Sequence, residues 1–412
     1  MPDKLRELRW NGGGMMPIRI NEHVVPVYDA FDVVVCGGGV AGIASALSAS
    51  RQGSKVLLLE KQCLLGGLAV SGLVTIYLPL DDGCGHQLSF GIAEELLRLA
   101  VKDGGIAKSP KYPEAWMSHK EKKKLSEERF QVGFNPVYFA LECEQLLLSE
   151  GVTILYDSLL CGVEVIENQV SAVIFRNAGG EYAAIAKAFV DASGSALIFY
   201  EAGENVRTYQ KGNPIAGWYY YLGNGELSLK TLGFADDILK TNDGSDSEKI
   251  QGTNGRDVAR FLCLSHRRTL QDILIARERG ELTEPAVICG MPQIRMIRCL
   301  SGKYKLKESD CFKEFKDSIG MIGDWRASGP RFEIPFSSLC GKKIRNVFAA
   351  GRCISNDDDM WNITRVIPAC AVTGEAAGMA ASIVSKMGSI NVSTLQNQLV
   401  CAGQKIFFHD IC

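Results

Sequence analysis

Between Phe31 and Cys36 the chain reads FDVVVC, an almost wholly apolar run rich in β-branched residues. A strand buried on both faces of a parallel sheet has this pattern. GGGVAG follows, then IASALSASRQG with Ile43 and Leu47 at helical spacing, then KVLLLEK, a second buried strand ending at Glu60. Strand, glycine turn, helix and strand together take about thirty residues, the size of one βαβ unit. Downstream, helical periodicity marks residues 91–102 and 136–150, and short strands or ribbons are predicted at 152–156, 163–167, 172–176 and 185–191. A different section opens at 219–222, is interrupted by a polar stretch over 236–255, and continues into an amphipathic helix over 257–279. Residues 332–338 read as extended, 347–350 as another buried strand, and 365–387 as a long Ala/Gly-rich helix. The order predicts an α/β protein whose Rossmann-like domain, a parallel sheet with a β-ribbon, is assembled from residues 31–75, 140–205 and 335–412. Residues 1–30 would form an arm, and 76–139 with 206–334 an inserted α+β substrate or cap region.

Composition narrows the function. Across 412 residues, 45 Lys and Arg nearly balance 47 Asp and Glu, so no global field draws the protein toward nucleic acid or an anionic membrane. The run Lys120, Lys122, Lys123, Lys124 is interleaved with Glu121, Glu127 and Glu128 and reads as a solvated face. No apolar run is judged to reach the ~20 residues of a bilayer span, and the first residues lack the apolar core of a secretory signal. The 14 cysteines include no C-x-x-C pair, so no metal site is expected. Cys36, Cys143 and Cys161 lie in apolar runs and read as reduced core residues, and a cytoplasmic setting is expected.

The chemistry begins at the glycine turn. Gly37, Gly39 and Gly42 meet the pattern G-x-G-x-x-G: the first for the tight turn, the second for close approach of a diphosphate, the third for helix–strand packing. With Gly38, Val40 and Ala41 they would present the N–H groups and positive dipole end of a helix to phosphate. Glu60, about twenty residues on, is placed to accept hydrogen bonds from the ribose hydroxyls of an adenosine, with Lys61 beside it. A second glycine-rich bend, Gly66, Gly67, Leu68 and Ala69, follows closely and would pass near the same ligand. These features alone do not separate FAD from NAD.

Later motifs do. Asn346-Val-Phe-Ala-Ala-Gly-Arg352 is a buried strand ending in glycine, and it resembles the returning strand of the glutathione-reductase-like flavoproteins. Gly351-Arg-Cys-Ile-Ser355 followed by Arg365-Val366 and Pro368, with Pro292, Ile294, Arg295, then Gly302 and Tyr304, resembles the FAD-dependent oxidoreductase family. Ile334, Pro335, Ser338, Leu339 and Asp191-Ala-Ser-Gly194 extend that resemblance from about Asp32 to Ser382. It implies FAD as cofactor, with Asp191, Gly194, Gly351, Arg352, Arg365, Ala369 and Gly374 near it. The chain departs from the pattern in carrying Arg352 where such flavoproteins place an acid, and Met296 and Cys299 in the stretch after Arg295.

For catalysis, Arg295, Arg298 and Arg352 are candidates for binding a carboxylate or stabilising flavin charge. His86 is a candidate proton donor. Asp357, Asp358 and Asp359 with Trp361 would form an exposed acidic loop or the rim of the substrate opening, and Cys63 and Cys353 would pack rather than react. The expected activity is hydride transfer between FAD and a small organic substrate, with an unidentified electron donor or acceptor and the oligomeric state open. A NAD(P)-dependent dehydrogenase and a non-catalytic flavin-binding protein remain as alternatives.

Overall fold

Strand β1, Val27–Cys36, forms where the apolar run predicts it, with Val33, Val34 and Val35 fully buried. It starts four residues earlier than the run, inside the expected arm. Residues 27–30 are exposed, so no hydrophobic signal announces them; they are extended because they pair in parallel with Ala183–Ile185. The computed structural model describes residues 24–102, 129, 131–223, 225–233, 249–281 and 284–411. Most of the expected arm, the Lys120–Lys124 run and most of the polar stretch over 236–255 lie outside them.

Helix α1, Val40–Arg51, returns the chain to β2, Val56–Leu59, which lies parallel to β1. Helix α2, Pro136–Ser149, starts where Asn135 accepts a hydrogen bond from Val137 N and proline fills the first turn. It leads to β3, Thr153–Leu155, parallel to β2. Then β4 (Leu159–Ile166), β5 (Gln169–Asn177) and β6 (Gly180–Asp191) form an antiparallel ribbon. The twelve residues of β6 serve two structures, the first half pairing with β5 and the length from Ala183 onward with β1. The sheet order is β3-β2-β1-β6-β5-β4.

Over the sheet lies a section with its own small core of Ile215, Ala216, Ile250, Phe261 and Ile294. It contains β7 (Tyr219–Gly223), β8 (Glu226–Lys230), helix α3 (Gly255–Glu278) and β9 (Glu284–Ile288), the three strands forming one antiparallel sheet in the order β8-β7-β9. This section is smaller than the expected cap region. Leu96, Leu97, Leu300, Ile319, Phe332 and Ile334, assigned above to the cap region, share the main core with β1 and α1.

The chain comes back to the sheet as β10, Val347–Ala349, parallel to the end of β6, and α4, Ile367–Met387, then lies across α1. Contact is close because Gly374 and Gly378 lack side chains; a Cβ there would sit 2.3 Å from Ala41 O and 2.1 Å from Ser45 O. Against expectation, α4 has the length and mean hydropathy (1.4) of a membrane span, yet 94% of its apolar window is buried within the protein.

Candidate functional site

Four parallel strands, β1, β2, β6 and β10, end side by side at Cys36, Leu59, Asp191 and Ala349. Ligands of open α/β sheets sit beyond such strand ends, and here the ends open into a cleft of about 380 Å³. Gly37 leaves β1 at φ 106°, in the left-handed region that glycine tolerates, and its absent Cβ would lie 2.4 Å from Ala192 O. Around Gly39, by contrast, a Cβ would meet nothing within 4 Å, because it would point into open space. Gly39 also bridges to Gly66, and a Cβ on Gly67 would come 3.2 Å from the Gly39 Cα. Gly37, Gly39, Gly66, Gly67, Leu68 and Ala69 thus form a largely backbone wall continuous with Val40 and Ala41 at the start of α1. Such a wall suits a diphosphate, which needs N–H donors and close approach.

Glu60 and Lys61 also line the cleft. Glu60 Oε2 accepts from Gly38 N at 2.6 Å and Oε1 from Gln62 N at 2.8 Å, so the carboxylate is fixed while each oxygen keeps a lone pair. Burial raises the carboxyl above its ordinary range, against the pull of those N–H donors. Burial likewise lowers the Lys61 ammonium, with Glu60 opposing the shift.

Trp218, Met291, Arg295 and Trp325 also line the cleft. The Arg295 guanidinium lies 5.3 Å from the Trp218 ring centroid. Trp325 donates from Nε1 to Asn362 O at 3.0 Å, and its loop is tied by Arg129, which donates to Asp324 O and, at 3.0 Å, to Ala327 O. The first turn of α4 closes the end: Val366, Ile367 and Cys370 line the cleft, and the N-cap Val366 has no side-chain cap. Arg352 and Arg365 complete the wall.

Several expected contacts do not reach it. Neither His86 nor Arg298 lines the cleft. His86 Nδ1 is paired at 2.9 Å with Asp82, whose other oxygen holds Cys84 N in a tight turn. Arg298 lies on an antiparallel pair with Val206–Thr208, its guanidinium 4.3 Å from the Tyr200 ring centroid. Gly38, Gly42, Asp191, Gly351, Ala369 and Gly374 are likewise not among the residues that line it. Asp191 accepts from Ser193 N and Oγ and from Phe199 N, shaping the Ala192–Gly194 turn that does line it. Gly351, at φ 63°, turns the chain so that Arg352 faces the cleft. The acidic triplet is not a loop: Asp357 caps the helix Asp358–Thr364 by accepting from Met360 N, and Trp361 is fully buried. Asp357 before two further acids is an N-cap signal that the sequence carries. Trp218, Met291, Trp325 and Gln131 went unpredicted, because nothing local distinguishes them from other apolar or polar residues.

The cap side is anchored by Asn213, which is fully buried. Its Oδ1 accepts from Arg295 N and Met296 N, both at 2.9 Å, and its Nδ2 donates to Met296 O at 2.6 Å and Ile250 O at 3.2 Å. Asn213→Ala should therefore cost about 2–3 kcal/mol, by leaving buried polar groups unpaired. Urea denaturation of the two proteins measures it.

The parallel sheet, the glycine turn and the cleft at the strand ends, with Glu60 lining it, together define a Rossmann-type α/β protein. A family model for FAD dependent oxidoreductases matches residues 32–217 and 253–399, and the chain belongs to that family. FAD is accordingly its cofactor, and the backbone wall with Glu60 beside it fits the diphosphate and ribose of that group. Similarity to curated proteins is confined to short stretches. Thioredoxin reductase of Ureaplasma parvum serovar 3 is 36% identical over 73 residues, covering 18% of this chain and 24% of that protein. Fumarate reductase (cytochrome) of Shewanella frigidimarina is 47% identical over 49 residues, covering 11% of this chain and 9% of that protein. Among solved structures, a geranylgeranyl bacteriochlorophyll reductase-like protein from Thermoplasma acidophilum is 16% identical with a TM-score of 0.46, over 91% of this chain and 84% of that one.

Proposed function

We propose that the protein transfers hydride between FAD and a small organic acid that enters between the cap and the sheet. One observation carries this reading: the cap wall of Trp218, Met291 and Arg295 faces the same cleft as the glycine turn. FAD when bound supplies the redox chemistry. The chain's residues bind, orient and exclude water. Trp218 and Trp325 provide apolar walls, and the start of α4 provides a positive dipole end that favours negative charge on a bound ring. Arg295 gives the substrate's acid group a planar cation already oriented by its Trp218 contact. Among the described residues there is one nucleotide-binding sheet, which supports an electron partner outside this domain.

The test is the visible spectrum of the purified protein, followed by anaerobic addition of candidate organic acids and their neutral amides. Bleaching of the flavin by an acid and not by its amide supports the proposal; no bleaching or reoxidation with any member of either series refutes it. With the acid found, Arg295→Ala should raise KM about tenfold or more, as expected for one lost charge-assisted contact, with a smaller effect on kcat.

A further inference from the structure

Arg352 stands where glutathione-reductase-like flavoproteins carry an acid, and its surroundings show what the cation does. Its Nη1 donates to Ile294 O at 2.6 Å and to Arg295 O at 3.1 Å, reaching from the end of β10 to the cap. The rest of the guanidinium lies against Gly194: a Cβ there would be 2.4 Å from Nε and 2.5 Å from Nη2. Gly194 and Arg352 both line the cleft, as do Gly37 and Gly39. Among the described residues no carboxylate lies within ion-pair distance of Arg352. Its charged neighbours Lys61 and Arg365 both repel it. A half-buried cation among cations is costly until an anion arrives. The anion that belongs in this cleft is the cofactor's diphosphate, for which a guanidinium offers a matched fork of donors.

We propose that Arg352 is a latch: it binds the diphosphate of FAD while holding the Ile294 and Arg295 carbonyls, so that cofactor binding fixes the cap segment. That segment is gripped on its other side by Asn213. With the diphosphate in place, the Arg352 fork is fully engaged, and Arg295 is held toward the cleft before any substrate binds. Arg352 is thus a positioning residue for the substrate wall as well as a cofactor ligand. The inference rests on the family's cofactor and is independent of which substrate the cap receives.

The experiment uses the full chain stripped of flavin, with ADP and adenosine as probes, because ADP carries the diphosphate and lacks the redox ring. Binding is measured by calorimetry and amide exchange at Arg295 and Met296 by mass spectrometry, for the unchanged protein, Arg352→Met and Arg352→Lys. In the unchanged protein ADP should bind at least about tenfold more tightly than adenosine and slow exchange at both amides. Arg352→Met should bind the two ligands nearly alike and show no slowing. Arg352→Lys keeps the charge without the fork and should retain part of the ADP preference while losing the slowing; it also serves should the Met variant not fold. An unaltered ADP preference in either variant, or unaltered slowing in either, overturns the latch. If the unchanged protein binds neither probe nor FAD, the cofactor site itself is misplaced, which is a separate failure.

Discussion

Gly42→Val is expected to give a protein that purifies without flavin and is less stable by about 3 kcal/mol or more, at the upper end of overpacking costs. A Cβ at Gly42 would lie 1.7 Å from Gly37 O, an overlap with backbone that no rotamer change can relieve. Gly37 cannot retreat, since it is itself pressed against Ala192 O. Substitution must therefore either lift α1 from β1 or unwind the turn, and both remove the donors from the diphosphate. Gly39→Ala separates cofactor approach from fold. With φ at −69° and open space in the Cβ direction, alanine is tolerated by the protein, but its methyl group enters the cleft. That variant should keep its urea midpoint and lose FAD affinity. Both are read from the flavin-to-protein absorbance ratio and urea denaturation; a Gly42→Val protein with full flavin content would refute the turn geometry.

Glu375 should make the fold less stable as pH rises. It is buried in α4, accepting from Ile92 N at 2.9 Å and Gln404 Nε2 at 2.6 Å through the same oxygen, with Glu95 and Arg51 as its charged neighbours. Burial raises its carboxyl to about 7 from an ordinary 4.5. The native state then holds a proton that the unfolded chain releases, so this group's contribution is fully present below about pH 4.5 and is lost as pH rises to about 7. The shift corresponds to about 3 kcal/mol between those limits. Urea midpoints of the unchanged protein and Glu375→Gln at pH 5 and pH 8 test it. The glutamine variant keeps an acceptor for both donors without the ionisation and should lose that part of the pH dependence. Parallel pH curves for the two proteins would place the linkage elsewhere.

The first βαβ unit was legible because each of its requirements is local. A doubly buried strand needs a continuous apolar run, a diphosphate turn needs glycines at fixed spacing, and Glu60 follows at the end of the next strand. The helix boundaries at Ile92–Val101, Pro136–Ser149 and Gly255–Glu278 fell within two residues of expectation for the same reason. The motif positions around Gly351 and Arg365 were also visible, but their division of labour was not. Gly374 and Gly42 take part in close backbone packing, while Arg352 and Arg365 face the cleft.

By itself the sequence determined the nucleotide-binding unit, the returning strand and helix, and through its motifs the flavoprotein family. Only the tertiary structure decided which side chains share the cleft. Trp218, Met291, Trp325 and Gln131 come from separate segments and meet only in the folded chain, where all four line one cleft. The Arg352 latch ends on the backbone carbonyls of Ile294 and Arg295, an acceptor type that every residue carries, so no residue pattern could announce it. Periodicity and motif spacing report each segment's own backbone geometry; contacts between distant segments depend on how the whole chain buries its apolar surface.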